Sequence, residues 1–382
     1  MSTSELYSLW LKNATDDPDI IEELKSIDGK DEEIYDRFYR ELEFGTAGLR
    51  GVIGAGTNRM NIYTVRRATQ GLAQYVLGEG GSKVAIAYDS RIKSTFFARE
   101  AARVLAANGI KVYIYKELMP TPMLSYAVSE LGCTSGIVVT ASHNPAKYNG
   151  YKAYGADGAQ LSVENSQKVL DLVNKVDMFS SVRLCDFDEA VREGTIEYIG
   201  DELIDKYLET VKSRSIEKVR GDLKVIYTPL NGTGNKPVRE ILKRIGIENV
   251  TVVPEQEFPD GSFPTAPFPN PEIRQAFECA LSLSKTVPAD LLLATDPDCD
   301  RVGIAVKDGD DFTLMSGNEV GACLLDYILS RRKANGTLPK DPVAVKTIVS
   351  TPLADKIAAK YGCKLISVLT GFKYIGEQAG IL

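Results

Sequence analysis

The stretch KVAIAYDSRIKSTFFAREAARVLAANGIKVYIY, residues 83–115, decides the fold class. KVAIAY (83–88) is a short run rich in β-branched and apolar residues, and Asp89, Ser90 and Arg91 follow it as a polar turn. STFFAREAARVLAAN (94–108) carries apolar residues at helical spacing, and Gly109 stands where a helix ends in a left-handed residue. IKVYIY (110–115) reads as a second strand. Strand, helix and strand in so short a span form a βαβ unit, which requires a parallel sheet.

The pattern recurs along the chain. LKVIYT (223–228) runs into Pro229 and an Asn231-Gly232-Thr233-Gly234 turn, then a helical KPVREILKRIG. VAVKTIV (343–349) runs into Ser350-Thr351-Pro352 and a helical LADKIAAKYG. Thr-Pro followed by Leu or Met at residues 121, 228 and 351 echoes at spacings of about one domain. The expectation is an α/β protein of repeated three-layer domains with mixed, mostly parallel sheets. The domains are expected over residues 1–205, 206–316 and 317–382. The proline-rich PEQEFPDGSFPTAPFPNPE (254–272) reads as a long functional or mobile loop inside the second domain.

Composition bounds the function. Hydrophobic residues make up 44% of the 382 and charged residues 25%, which is ordinary for a globular chain. A formal net charge of −7 argues against nucleic acid or an anionic membrane as the main partner, though not against an anionic small molecule. The N-terminus has no apolar signal segment, and Leu6, Leu9 and Trp10 follow helical spacing instead. No apolar run is long enough to span a bilayer. Six scattered cysteines without a C-x-x-C pair suggest free thiols, most of them in the core, and a reducing cytoplasm.

Four stretches carry chemistry. In SGIVVTASHNPAKYNGYK (135–152) a buried strand ends at Thr140–Asn144, the end of a parallel strand where open α/β sheets bind ligands. Ser142 stands there beside His143, the chain's only histidine, with Lys147 and Lys152 close by. A serine hydroxyl needs a base, a metal or a cation to react. A Ser-His-Asp hydrolase is disfavoured, because the G-x-S-x-G elbow is absent and an adjacent histidine seldom faces its serine. The bland alternative is an Asx turn with a solvent-facing histidine.

In LLLATDPDCDRVGIAV (291–306), Asp296, Asp298 and Asp300 alternate after an apolar strand, so an extended loop would set their carboxylates on one side. Such a cluster repels itself unless a cation neutralises it, and oxygen ligands suit Mg²⁺, Mn²⁺ or Ca²⁺. An EF-hand is excluded, since Arg301 and Lys307 occupy its glycine and glutamate positions. Arg301 beside a metal points to a phosphate. In ELEFGTAGLRGVIG (41–54), Gly45, Gly48 and Gly51 leave backbone amides open to an anion, with Arg50 to complete the grip, although no Walker A pattern is present. In VLTGFKYIGE (368–377), Lys373 follows a Thr-Gly turn. Serine, acidic metal loop and cations together are the equipment of phosphoryl transfer.

These residues resemble the α-D-phosphohexomutases, the phosphoglucomutase/phosphomannomutase family, from about Phe44 to the end of the chain. TASHNP with YNGYK resembles that family's phosphoserine loop, DPDCDR its metal loop and FGTAGLRG its N-terminal active-site stretch. YDSR (88–91), YTPLNGTG (227–234) and TGFKYIGE are similar as well, and the last, with SLWLKN, looks most like the long bacterial phosphoglucomutases.

The resemblance implies an active site in the cleft between domains. It makes Ser142 the phosphoryl carrier and a metal ligand alongside Asp296, Asp298 and Asp300, which would hold one Mg²⁺. It places His143, Lys152, Arg50 and Arg301 around the reacting groups, and Lys373 near the sugar, able to help proton transfer. Thr46, Asn144 and Gly371, with Arg50, Arg301 and Lys373, would contact substrate. The implied reaction interconverts glucose 1-phosphate and glucose 6-phosphate through glucose 1,6-bisphosphate. Mannose or pentose phosphates, bisphosphate synthesis and a non-catalytic sugar-phosphate binder are the alternatives, and the oligomeric state is left open. Family members have four domains, so the chain is expected to hold part of the third and none of the fourth, and full activity is expected to suffer.

Overall fold

The computed structural model describes residues 1–45, 48–219 and 221–382. It divides into two compact units, Met1–Leu203 with Asp260–Phe263, and Ile204–Pro259 with Pro264–Leu382. Each is described by itself. Among the described residues no helix is long and apolar enough to cross a membrane.

The first unit holds a six-stranded sheet. Its strands are β1 (Gly48–Val52), β2 (Lys83–Tyr88), β3 (Lys111–Tyr115), β4 (Ser135–Val139), β5 (Tyr148–Gly155) and β6 (Ile196–Ile199). Their order is β1-β5-β4-β2-β3-β6. The pairs β4–β2, β2–β3 and β3–β6 are parallel, while β5 runs antiparallel to both β1 and β4. The expected βαβ unit is β2, the helix Ser94–Ala107 and β3, and Gly109 has the left-handed φ of 78° that a C′ glycine supplies. β4 is buried along its whole length, as SGIVV in mid-sheet requires.

An N-terminal helical segment packs on this sheet unit. Its helices are α1 (Thr3–Asn13), α2 (Pro18–Ser26) and α3 (Asp31–Phe38), followed by α4 (Ile62–Gly78) of the sheet layer. Ser2 and Glu5 form a capping box on α1. Trp10 is fully buried, edge-on to Phe38, Tyr63 and Phe179 at centroid distances of 5.8, 5.4 and 5.6 Å. Arg66 of α4 bonds both Asp16 and Glu100 at 2.5 Å, fastening the segment to two helices of the unit.

In the second unit, β7 (Val225–Thr228), β8 (Val250–Val252), β9 (Leu291–Thr295), β10 (Val302–Asp308) and β11 (Asp311–Met315) make a sheet of order β11-β10-β9-β7-β8. β7 is parallel to β8 and β9, and β10 is antiparallel to β9 and β11. β12 (Val343–Thr347) and β13 (Lys364–Val368) pair in parallel, with helices Gly317–Ala334 and Leu353–Lys360 beside them.

Two expectations change. The loop 254–272 does not lie wholly within one unit, since its tip Asp260–Phe263 belongs to the first. Of the cysteines, Cys133 and Cys363 are buried, Cys185, Cys279 and Cys299 are partly exposed, and Cys323 on the helix Gly317–Ala334 is exposed. A cysteine is small enough for the rim of a core as well as its centre, so residue type alone does not place it.

Candidate active site

Ser142 sits just past the carboxyl end of β4, buried, in the left-handed region at φ 53°. Its own N–H donates to Thr140 Oγ1 at 2.8 Å, and Asn144 N–H donates to the Ala141 carbonyl at 3.1 Å. These bonds close the tight turn that a non-glycine residue at positive φ requires. The hydroxyl lies 3.2 Å from His143 Nδ1. The adjacent histidine therefore does meet its serine, because the left-handed turn folds the two side chains back on each other.

The strands beside the turn are glycine-spaced for a reason. A side chain on Gly150 would collide with the Thr140 and Leu49 carbonyls, and one on Gly48 (φ 146°) with the Tyr151 backbone. β1 and β5 can thus close directly on the serine turn. Their register sets Arg50 opposite Gly150 and Lys152 opposite Gly48. Residues directly opposite share a face, so Arg50 and Lys152 are diagonal neighbours on one face of the sheet. Arg50 is exposed and Lys152 half-buried. Thr46, the remaining residue expected in this stretch, lies outside the described residues.

Arg91 was not among the expected site residues, yet it organises the turn. Its guanidinium is fully buried and donates to the carbonyls of Ser142 and Asn144, both at 2.5 Å, and to those of Pro145 and Tyr148 at 3.0 and 3.1 Å. Asp89, equally buried, lies 3.3 Å from Arg91 Nε and accepts from Arg91 N–H and Ser94 Oγ. Burial pushes the Asp89 carboxyl above its ordinary value, against the opposing pull of Arg91 and the hydrogen bonds. Asn149 of β5 donates to Ser94 Oγ and the Ile92 carbonyl, which ties the two strand ends together. The sequence signal was the polar Asp-Ser-Arg turn at the end of β2.

The acidic loop lies in the second unit, between β9 and β10. Ligand atoms of Asp296, Asp298 and Asp300 all fall within 4.8 Å of one another, with Asp296 and Asp298 buried and Asp300 exposed. The loop is not the extended one expected. Residues 297–299 turn, with Cys299 left-handed at φ 54° and its N–H on the Asp296 carbonyl at 2.9 Å. The turn, not strand alternation, gathers the carboxylates. Asp296 also accepts from the N–H groups of Asp300 and Arg301, at 3.1 and 3.0 Å. Arg301 pairs with Glu272 at 3.2 Å, the arginine partly and the glutamate about half exposed. Desolvation, then the nearby Asp296, pushes the Cys299 thiol up to about 12.

The Asn231-Gly232-Thr233-Gly234 turn supports this loop. Leu230 and Asn231 are left-handed, and the Asn231 amide donates to the Phe258 carbonyl at 2.8 Å. Gly232 lies against Pro297, and Gly234 against Tyr227 Oη, Thr295 Oγ1 and Cys299 Sγ. In the same unit, Gly371 (φ 132°) caps the helix Phe372–Ile381, and Lys373 Nζ lies 4.7 Å from the Tyr374 ring centroid. The expected residues thus form a serine group in the first unit, and an acidic group and a separate lysine helix in the second.

Models of phosphoglucomutase/phosphomannomutase alpha/beta/alpha domains I, II and III match residues 41–179, 204–309 and 316–380 in that order. A phosphoglucomutase of Staphylococcus saprophyticus is 36% identical over 374 residues, 97% of this chain and 67% of the relative. The chain belongs to the phosphoglucomutase/phosphomannomutase family. A phosphoglucomutase of Staphylococcus aureus (strain N315) is 37% identical over 346 residues, 89% of this chain and 61% of the relative. Among solved structures, a Thermus thermophilus protein that carries the name phosphomannomutase matches with a TM-score of 0.74 and 27% identity, over 89% of this chain and 71% of that one. The chain therefore spans about three fifths to two thirds of the length of these phosphoglucomutases.

Proposed function

We propose that this chain carries the phosphoryl-transfer machinery of a phosphoglucomutase, exchanging a phosphoryl group between Ser142 and the 1- and 6-oxygens of glucose. The observation that carries the reading is the Ser142 turn, a buried serine in a left-handed turn at the end of a parallel strand, with its hydroxyl 3.2 Å from His143. Curated relatives at 36–37% identity bear the name phosphoglucomutase, which supports glucose as the sugar.

In this reading phosphorylated Ser142 gives its group to a sugar hydroxyl. The phosphorus–Oγ bond breaks, a phosphorus–sugar oxygen bond forms, and the sugar's proton passes to the enzyme. Glucose 1,6-bisphosphate then returns its other phosphoryl group to Ser142: that phosphorus–sugar oxygen bond breaks, the phosphorus–Oγ bond re-forms, and the freed sugar oxygen takes a proton back from the enzyme. His143 donates a hydrogen bond to the group in transfer. Arg50 and Lys152, on one sheet face, supply charge to its oxygens, and Asn144 and Thr46 contact substrate. Arg301 and the Gly371–Lys373 turn hold the sugar phosphate, and Lys373 moves a proton at the sugar hydroxyl.

Asp296, Asp298 and Asp300 fit a hard divalent cation, because three carboxylates within 4.8 Å, two of them buried, require neutralising. Mg²⁺ bound there would supply neutralisation of the phosphoryl charge.

Incubation with glucose 1,6-bisphosphate and Mg²⁺ tests the reading by intact mass. The chain should gain one phosphoryl group, mapped to Ser142, and Ser142→Ala should gain none while keeping its circular dichroism. An unphosphorylated chain after prolonged incubation sinks the reading. A second reading, phosphomannomutase, has the support of the Thermus structure at 27% identity. Coupled assays on glucose and mannose 1-phosphates separate the two.

A further inference from the structure

The Ser142 turn is held by its carbonyl groups. Arg91 binds the carbonyls of Ser142, Asn144, Pro145 and Tyr148 with its two terminal nitrogens, so four dipoles of one loop converge on a single guanidinium. The guanidinium is fixed in turn from two sides. Asp89 faces Nε, and the ring of Phe263 lies with its centroid 5.0 Å from Arg91 Cζ. Phe263 is buried and left-handed at φ 48°, so its backbone is held in place by its surroundings. Gly261 sits so tightly on the turn after β2 that an added carbon would meet Ile92 N at 2.5 Å, the Ser90 carbonyl at 2.8 Å and Arg91 C at 2.9 Å. Asp260 accepts from Ser262 N–H and Oγ, which braces the tip from within.

We propose that Arg91 is a positioning residue for phosphoryl transfer, and that the Asp260–Phe263 tip is the brace that keeps its guanidinium on the Ser142 carbonyls. The proposal rests on the reading of Ser142 as phosphoryl carrier. Ser142 holds a backbone conformation that a non-glycine residue keeps only when imposed. Carbonyls released from Arg91 are free to turn toward Ser142 Oγ, where they repel a phosphoryl group of charge near −2. A lysine at 91 restores the charge but not the planar fork that four carbonyls require. Gly261 and Phe263 are conformationally suited to the tip for one purpose each, close approach to the turn and a flat face under the guanidinium.

The test compares wild type, Arg91→Lys, Arg91→Ala and Phe263→Leu in the full chain. Phosphorylation by glucose 1,6-bisphosphate is followed by intact mass; the phosphorus–sugar oxygen bond breaks, the phosphorus–Oγ bond forms and the Oγ proton ends on the sugar oxygen. Amide hydrogen exchange over residues 140–148 is measured in parallel on unphosphorylated chain. Arg91→Lys should accept phosphate about 100-fold more slowly. Its turn amides should exchange about tenfold faster, with β2 and β4 unchanged. Phe263→Leu should fall between. Added guanidinium, below concentrations that unfold the chain, should restore part of the Arg91→Ala rate, whereas methylammonium should not; a general loss of stability gives no such rescue. Wild-type phosphorylation by Arg91→Lys, or unchanged exchange at the turn, overturns the proposal. If wild type itself takes no phosphate, the carrier reading fails, and the exchange arm alone decides whether Arg91 and the tip fix the turn. If Arg91→Lys does not fold, Phe263→Leu carries both readouts.

Discussion

The N–H of Thr233 donates to the carbonyl of Pro297 at 2.9 Å, joining the Asn-Gly-Thr-Gly turn after β7 to the acidic loop after β9. β7 and β9 are parallel neighbours in the sheet, so the loops at their carboxyl ends lie side by side. Gly232 makes the contact possible, since a side chain there would strike the Pro297 backbone, with the carbonyl oxygen at 2.7 Å. Backbone cannot move aside as a flexible side chain can. Gly232→Ala should therefore destabilise the second unit by about 1–3 kcal/mol. Gly78→Ala, with open space around it and no left-handed φ, should change stability by about 0.5 kcal/mol or less. Urea midpoints with unchanged slope would decide the comparison, and equal midpoints for the two variants would sink it.

The acidic loop makes an opposing pair of predictions. Without divalent cation, the clustered carboxylates repel, and two of them are buried. Asp298→Asn should then raise the thermal midpoint of the second unit. With Mg²⁺ at about a hundred times its dissociation constant, wild type should gain about 2.7 kcal/mol, and Asp298→Asn should lose most of that gain. A wild-type midpoint indifferent to Mg²⁺ would show that the cluster holds no such ion.

How much of this could be read beforehand differs from residue to residue. Ser142, Asp296, Asp298 and Asp300 were legible because their meaning is local, a reactive or acidic side chain just after an apolar strand. Arg91 was not, because its partners are carbonyls, which every residue carries, brought to it by the β2–β4 pairing across some fifty positions. The carboxylate turn was misjudged as extended for a related reason. The left-handed Cys299 that bends it has no sequence signature, as such a conformation usually calls for Gly or Asn. The first unit's βαβ core was legible from periodicity, whereas the fit of Asp260–Phe263 to that unit depends on a glycine contact that no periodicity encodes.

Thiol chemistry should follow placement. Burial pushes the Cys133 thiol up to about 12, so at pH 8 only about one molecule in ten thousand carries the reactive thiolate there. Cys299 is held as high by desolvation and Asp296. Exposed Cys323 should react first with a disulfide reagent at pH 8, while buried Cys133 should react only as the chain unfolds. Alkylation followed by peptide mapping reads the order directly. Early labelling of Cys133 would mean that the starts of β2 and β4 open far more readily than their packing allows.

Trp10, the chain's single tryptophan, gives the N-terminal segment its own reporter. It is enclosed by Phe38 of the same segment and by Tyr63 and Phe179 of the sheet layers, while Tyr63 also accepts from Asp16 N–H at 2.8 Å. Its emission should therefore be that of a buried indole and shift to the red when the segment leaves the unit. Phe38 is almost fully buried, so Phe38→Ala should cost about 3–5 kcal/mol through lost burial and the cavity left behind. Because the second unit has no tryptophan, the emission midpoint in urea follows the first unit alone, whereas circular dichroism follows both. In Phe38→Ala the emission midpoint should fall steeply, and the part of the dichroism transition belonging to the second unit should stay in place. A fluorescence midpoint that does not move would mean that α1–α3 contribute little to the unit they cover. A dichroism curve that falls as one step with the fluorescence would mean that the two units unfold together.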